Sequence, residues 1–321
     1  MKNIFLAFLL SPLLAFAQNS EYDTWILKAN AFYDAHQYQQ AGDAFSHAFA
    51  SNGWKAVSGD LYNAACAWSQ AGNRDSAFAQ LDKLAAHEKF KGLNHMVVDI
   101  DLENLHADPR WSKIHELVRQ NKERAEQNLN KPIIAVLDTV FQDDQRFRMQ
   151  FPVVESKYGQ QSKEVYALRD TVAKYDSINC MKVIGLLDKY GWLGPDVVGE
   201  GGSQTEFYVI QHSNIKVQDK YLPMLREAVK NKKLSSGLLA LLEDRVSLRH
   251  KKKQVYGTQI WVDINGRFVA PLEDPDNVDK RRAAVGLGPL ALYLQSFQVP
   301  WDLQEYKDHF ADIEKRSEGL Y

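Results

Sequence analysis

Five polar residues fall among apolar neighbours in the second half of the sequence: Gln211, His212, Asp244, Arg245 and Gln259. Their types suit acid–base and anion chemistry. A histidine whose ring is oriented by a carboxylate serves as a general base near neutral pH, so His212 and Asp244 form the candidate catalytic pair. Arg245 and Arg282 each carry a fork of N–H donors that can clamp an anion. Gln211 and Gln259 can orient a ligand through amide hydrogen bonds, and Asp144 and Gln145 complete the candidate ligand-binding set. Asp244 and Arg245 are consecutive on a predicted helix, so their side chains point about 100° apart and reach different partners. The same residue types also satisfy one another in purely structural networks. Both readings stay open at the level of sequence.

Other chemistries lack their motifs. Gly199-Glu200-Gly201-Gly202 has neither the preceding strand nor the lysine of a phosphate loop, and reads as a hinge. His212, His250 and His309 show no paired-ligand spacing, so no metal is expected from spacing. No G-x-S-x-G elbow occurs, and no cofactor motif is present. Arg249-His250-Lys251-Lys252-Lys253 reads as a solvated basic loop. Two cysteines, Cys66 and Cys180, are too few for a disulfide scaffold. Cys66 lies among Ala64, Ala65 and Ala67, where a thiol packs as a small hydrophobe, although an oxidising compartment would allow the two to pair.

The elements that must carry these residues read as mainly α. Ile210, Leu241, Leu242, Val246 and Ile260 drive the polar residues' own elements into a shared core. Helical periodicity runs through Ile134, Leu137 and Phe141, then Val165 to Tyr175, then Val183 to Leu187, with Gly191 as a C-cap. Ser203-Gln204-Thr205-Glu206 is a capping-box sequence and predicts a helix start after the glycine loop. Further helices are expected near Leu222–Val229, Ser236–Leu248 and Asp302–Arg316. One β element is expected, a hairpin of Gln259–Ile264 and Arg267–Leu272 around Asn265-Gly266.

The first third carries a repeat. Trp25, Ala29, Phe32, Ala41, Phe45 and Ala48 recur as Leu61, Ala65, Trp68, Ala77, Leu81 and Leu84, each offset by 36 residues. Small residues let antiparallel helices approach, and large ones fill the groove between pairs. This pattern resembles the tetratricopeptide repeat. Gly72-Asn73 marks the turn of the second unit, where the first has His36-Gln37. A degenerate third pair follows, with Asp108-Pro109 as N-cap and first helical residue before Trp111, Ile114, Leu117 and Val118.

Domain boundaries follow from these patterns: repeats over residues 18–125, a charged linker at Lys122–Lys131, and a mainly helical domain over 130–321. The second domain carries Asp144-Gln145, Gly191-Trp192, Gln211-His212, Asp244-Arg245-Val246, Gln254 to Gln259, Arg281-Arg282 and Gly286 to Leu290 in that order. This ordered set resembles an uncharacterised bacterial family, domain of unknown function 6624. The resemblance implies a fold unit and no established activity.

The N-terminus gives an address. Lys2, the apolar run Ile4–Phe16 and Ala15-Phe16-Ala17 follow the order of a secretory signal peptide, residues 1–17, with cleavage expected after Ala17. The run is shorter than the roughly 20 residues of a membrane span, so the mature chain is expected to have no integral membrane segment and to be periplasmic or secreted. Of 321 residues, 39 are Lys or Arg and 41 Asp or Glu, a net charge of -2 that offers nothing to hold a nucleic-acid backbone. The expected function is an exported repeat protein that binds a protein or peptide, its C-terminal domain holding a small anionic ligand or serving as structure. The alternative is an extracytoplasmic enzyme, of hydrolase or transferase type, built around His212, Asp244 and Arg245.

Overall fold

The computed structural model describes residues 20–318 apart from 264 and 298, and its fold is mainly α with one small β-hairpin. The expected signal peptide therefore lies outside the described residues. None of the described helices is long and apolar enough to cross a membrane. The chain divides into two compact units: one is the stretch up to Lys131 with Phe141–Leu168, the other is Pro132–Val140 with the chain from Arg169 onward.

In the first unit, α1 (Ser20–Asp34) pairs with α2 (Tyr38–Ser51), and α3 (Ser58–Gln70) with α4 (Arg74–Ala86). The repeat positions are its core: Ala29, Ala41, Phe45, Ala48, Leu61, Ala65, Ala77, Leu81 and Leu84 are all buried. Gly42 of α2 shows why small residues recur, since a Cβ there would meet the Trp68 indole at 2.5 Å. The two hairpin turns are equivalent in conformation as well as in position. Gly72 has φ 76° and His36, the residue 36 earlier, adopts φ 57° despite its Cβ. Asn73 caps α4 by accepting from the Ser76 N–H. Beyond lie α5 (Leu93–Val98), a 3-10 turn at Ile100–Leu105, and α6 (Pro109–Ala125), whose cap Asp108 accepts from the Arg110 N–H. Trp111, Ile114 and Val118 bury the expected face of α6.

After the turn at 126–130 come α7 (Lys131–Arg148), α8 (Phe151–Tyr158) and α9 (Lys163–Tyr190), the last a single helix where two apolar clusters were read. Gly191 ends it at φ 70°. α10 (Pro195–His212) departs from expectation at its start. The helix begins at Pro195, and the glycine stretch lies inside it with a break only at Gly199, φ 73° and ψ 169°. Ser203 makes no cap: it is buried and its hydroxyl turns to the Lys233 carbonyl, while Glu206 reaches the Leu193 N–H. Proline at the first helical position suits the turn that begins at Pro195, and helical backbone resumes directly after Gly199, ahead of the capping sequence. α11 (Ile215–Lys230) and α12 (Ser236–Arg249) follow as an antiparallel pair.

The hairpin joins β1 (Ile260–Asp263) to β2 (Gly266–Val269), with Asp263 paired to Gly266. Its closure falls one residue before the expected Asn265-Gly266 turn, because Asp263 accepts from the Asn265 N–H at 2.7 Å and fixes the loop there. α13 (Val278–Ala284) and α14 (Leu290–Gln295) precede α15 (Leu303–Asp308) and α16 (Phe310–Glu318), two short helices where one was expected. Arg316 of α16 grips Asp263 through Nε and Nη2 and lies 3.9 Å from the Phe268 ring centre, closing the hairpin.

Candidate functional site

Three sequence-predicted residues meet in the second unit. Arg245, from α12, donates through Nε to Gln259 Oε1 at 3.1 Å and through Nη1 to the Gln211 carbonyl at 3.1 Å. Gln259 in turn donates to the Leu241 carbonyl and to the Thr258 hydroxyl. Gln211 is buried, and its Oε1 has no hydrogen-bond partner in the structure. His212 ends α10 half-buried, its ring stacked at 6.3 Å on that of Tyr208, one turn earlier.

Asp244 has a different task from orienting a histidine. It is fully buried, and its two oxygens accept from the backbone N–H groups of Val255, Tyr256 and Thr258 and from the Thr258 hydroxyl, at 2.6–3.2 Å. Burial raises its carboxyl above the ordinary range, and these hydrogen bonds pull the other way. The loop they hold places Gly257 at φ 69° against Leu290, a position with no room for a side chain. Arg282 is likewise committed. Buried on α13, it donates to the Gly288 and Tyr256 carbonyls and lies 4.8 Å from the Tyr293 ring centre. Asp144 and Gln145 lie on α7, in the first unit, where Gln145 donates to Asp144 and Arg148 donates to the Asp144 carbonyl.

Sequence reasoning missed four members of this framework. Gln254, fully buried, donates to the Gln259 and Ala270 carbonyls and accepts from the Gln259 N–H, so one amide closes the loop onto the hairpin. Arg281 binds the carbonyls of Val255, Glu273 and Asp274. Arg249 links the Ser213 carbonyl to Gln218. Glu206 is fully buried with one oxygen on the Leu193 N–H and the other without a partner. Loss of water pushes its carboxyl from 4.5 up to about 9. A run such as Gln254-Val255-Tyr256-Gly257-Thr258-Gln259, rich in polar groups beside a glycine, is the one signal that could have pointed to the loop.

The first unit holds an open cleft of about 710 Å³ at the turn of its second hairpin. Gln70, Asn73, Arg74 and Asp75 line it from the α3–α4 side, and Asn104, Asp108 and Arg110 from the segment leading into α6. Arg110 spans the lining, binding Asp75 at 2.7 Å and Asp108 at 2.8 Å. Two arginines face two aspartates here, so the cleft is charge-balanced and polar.

Neither the curated proteins nor the solved structures yield a match to this chain. The profile of the Family of unknown function (DUF6624) matches residues 132–304, more than half of the sequence. That span contains the Asp244 loop, the Gln254 clamp, Arg281, Arg282 and the hairpin that they fix, and the chain therefore belongs to the Family of unknown function (DUF6624).

Proposed function

We propose that the protein is an exported binding protein whose front helices, as repeats of tetratricopeptide type, hold a polar peptide segment of another protein. The observation that carries this reading is the cleft at the α3–α4 turn. Small-molecule pockets are mainly apolar with a few placed polar groups. This cleft is the reverse: its amides and paired charges match the recurring N–H and C=O groups of an extended backbone. Arg74, an exposed residue, and Asn104 both line it, so an arginine and an amide are available to a bound backbone. The catalytic alternative is weakened because Asp244, its carboxylate, is committed to the loop at 255–258.

Screening an immobilised random-peptide library tests the reading. The parent protein is expected to enrich polar sequences, and Arg74→Glu with Asn104→Ala to reduce retention roughly tenfold, the loss of about 1.4 kcal/mol expected for two hydrogen-bonding groups. Failure to enrich any sequence, or equal retention by the double variant, removes the cleft as a binding site.

Export rests on Lys2, the apolar run that follows it and the small residues Ala15 and Ala17. Intact-mass measurement on protein from its native host is expected to find a chain starting at Gln18. A cytoplasmic chain retaining Met1 contradicts it.

A further inference from the structure

Inside the first unit, three elements bring a thiol and two carboxylates together. Cys66 comes from α3, Asp99 from the junction after α5, and Asp101 from the 3-10 turn at Ile100–Leu105. Their ligand atoms all lie within 4.8 Å of one another. Three points so arranged always share a position within about 2.8 Å of each, close to the 2.0–2.3 Å at which zinc binds oxygen and sulfur. The observed Cys66 Sγ to Asp99 Oδ2 separation of 3.8 Å is near the edge of such a coordination tetrahedron.

Charge supplies a second, independent argument. Asp99 is buried, Asp101 is half-buried, and the only ion-pair partner either has among the described residues is His95, 3.5 Å from Asp99. Two carboxylates side by side without a lysine or arginine favour any cation that reaches them, because the uncompensated charge is costly in a low dielectric. The surroundings also have the form of a metal's outer shell. Tyr62 donates to Asp99 and Tyr33 to Asp101, fixing the carboxylates, and the Tyr62 ring packs against Phe90. One turn beyond Cys66, the Ser69 hydroxyl is buried with no hydrogen-bond partner.

We infer that Cys66, Asp99 and Asp101 form a binding site for a divalent transition-metal ion of the zinc type. The thiolate selects against magnesium and calcium, which take oxygen ligands, and the carboxylates complete a mixed set that zinc accepts. Binding releases one proton from the Cys66 thiol to solvent. The thiolate and two carboxylates then balance all but one negative charge against the ion. Three protein donors leave one tetrahedral position for a further ligand.

Cobalt(II) titration of the metal-free full-length protein tests this, with zinc competition to give the affinity. The expected result is one equivalent bound with a thiolate-to-cobalt charge-transfer band. Cys66→Ser should abolish the band, whereas Cys180→Ala should keep it, since Cys180 lies elsewhere beside the Ser213 hydroxyl. Asp101→Asn tests the site without disturbing the buried thiol and should abolish stoichiometric binding. Tyr33→Phe should weaken it about 10- to 100-fold, as loss of an outer-shell partner does. Circular dichroism of each variant establishes that it is folded. No stoichiometric cobalt uptake by the parent, a band that survives Cys66→Ser, or binding unchanged in folded Asp101→Asn overturns the inference.

Discussion

Replacing Asp244 by alanine should cost at least about 3 kcal/mol of stability, measured as the shift in urea midpoint of the full-length protein. The carboxylate organises residues 255–258, taking three backbone N–H donors and one hydroxyl in a fully buried setting. Each buried donor stranded without an acceptor costs roughly 1–3 kcal/mol. Asp244→Asn keeps one acceptor oxygen and should lose about half as much. The effect reaches beyond the loop, because Gln254 and Gln259 bind each other and Gln259 receives Arg245. A shift of less than about 1 kcal/mol would return Asp244 to the role of a functional carboxylate. A catalytic aspartate oriented toward His212 would lose activity on substitution and keep its fold, so this one measurement separates the two roles.

Much of the architecture was legible because it depends on local pattern. Every small residue in the 36-residue offset set, Ala29, Ala41, Ala48, Ala65 and Ala77, is buried, since a helix packs by the residues it presents at fixed spacing. The same spacing placed the turns, and His36 shows that position can impose a left-handed conformation on a residue whose type does not favour it. The α10 start differs from the expected one because helical backbone begins at Pro195, eight residues before Ser203, and resumes directly after the break at Gly199, ahead of the capping sequence. Within the polar constellation, residue types were legible and their partners were not. Asp244 faces a loop 11 to 14 residues downstream, and nothing in its helix announces a cluster of converging N–H groups. Gln254 and Arg281 stand in the ordered motif set, yet nothing marks them as framework residues for the same reason: their partners are backbone carbonyls, which every sequence has. The sulfur and oxygen donors of Cys66, Asp99 and Asp101 stand 33 and 35 residues apart, a spacing that becomes a site only through the fold of the repeats.

Glu206→Gln should change how stability depends on pH more than it changes the fold. In the folded protein Glu206 is buried on α10 with one hydrogen bond, from the Leu193 N–H, and burial pushes its carboxyl from 4.5 up to about 9. Between those values the folded chain keeps a proton that the unfolded chain has released. Stability from this group is therefore complete below about pH 4.5 and falls as pH rises, by about 1.4 kcal/mol per unit, until the folded carboxyl ionises near 9. Summed over that window the loss is of order 6 kcal/mol, comparable to the whole stability of many domains. Glutamine has the same shape, still accepts from Leu193, and never ionises. The difference in unfolding free energy between variant and parent should thus grow in favour of the variant from pH 5 to pH 9, a comparison in which the other titrating groups cancel. Parallel stability curves across that range would mean that Glu206 is ionised in the fold, which in a site with one N–H partner would require a cation beside its second oxygen.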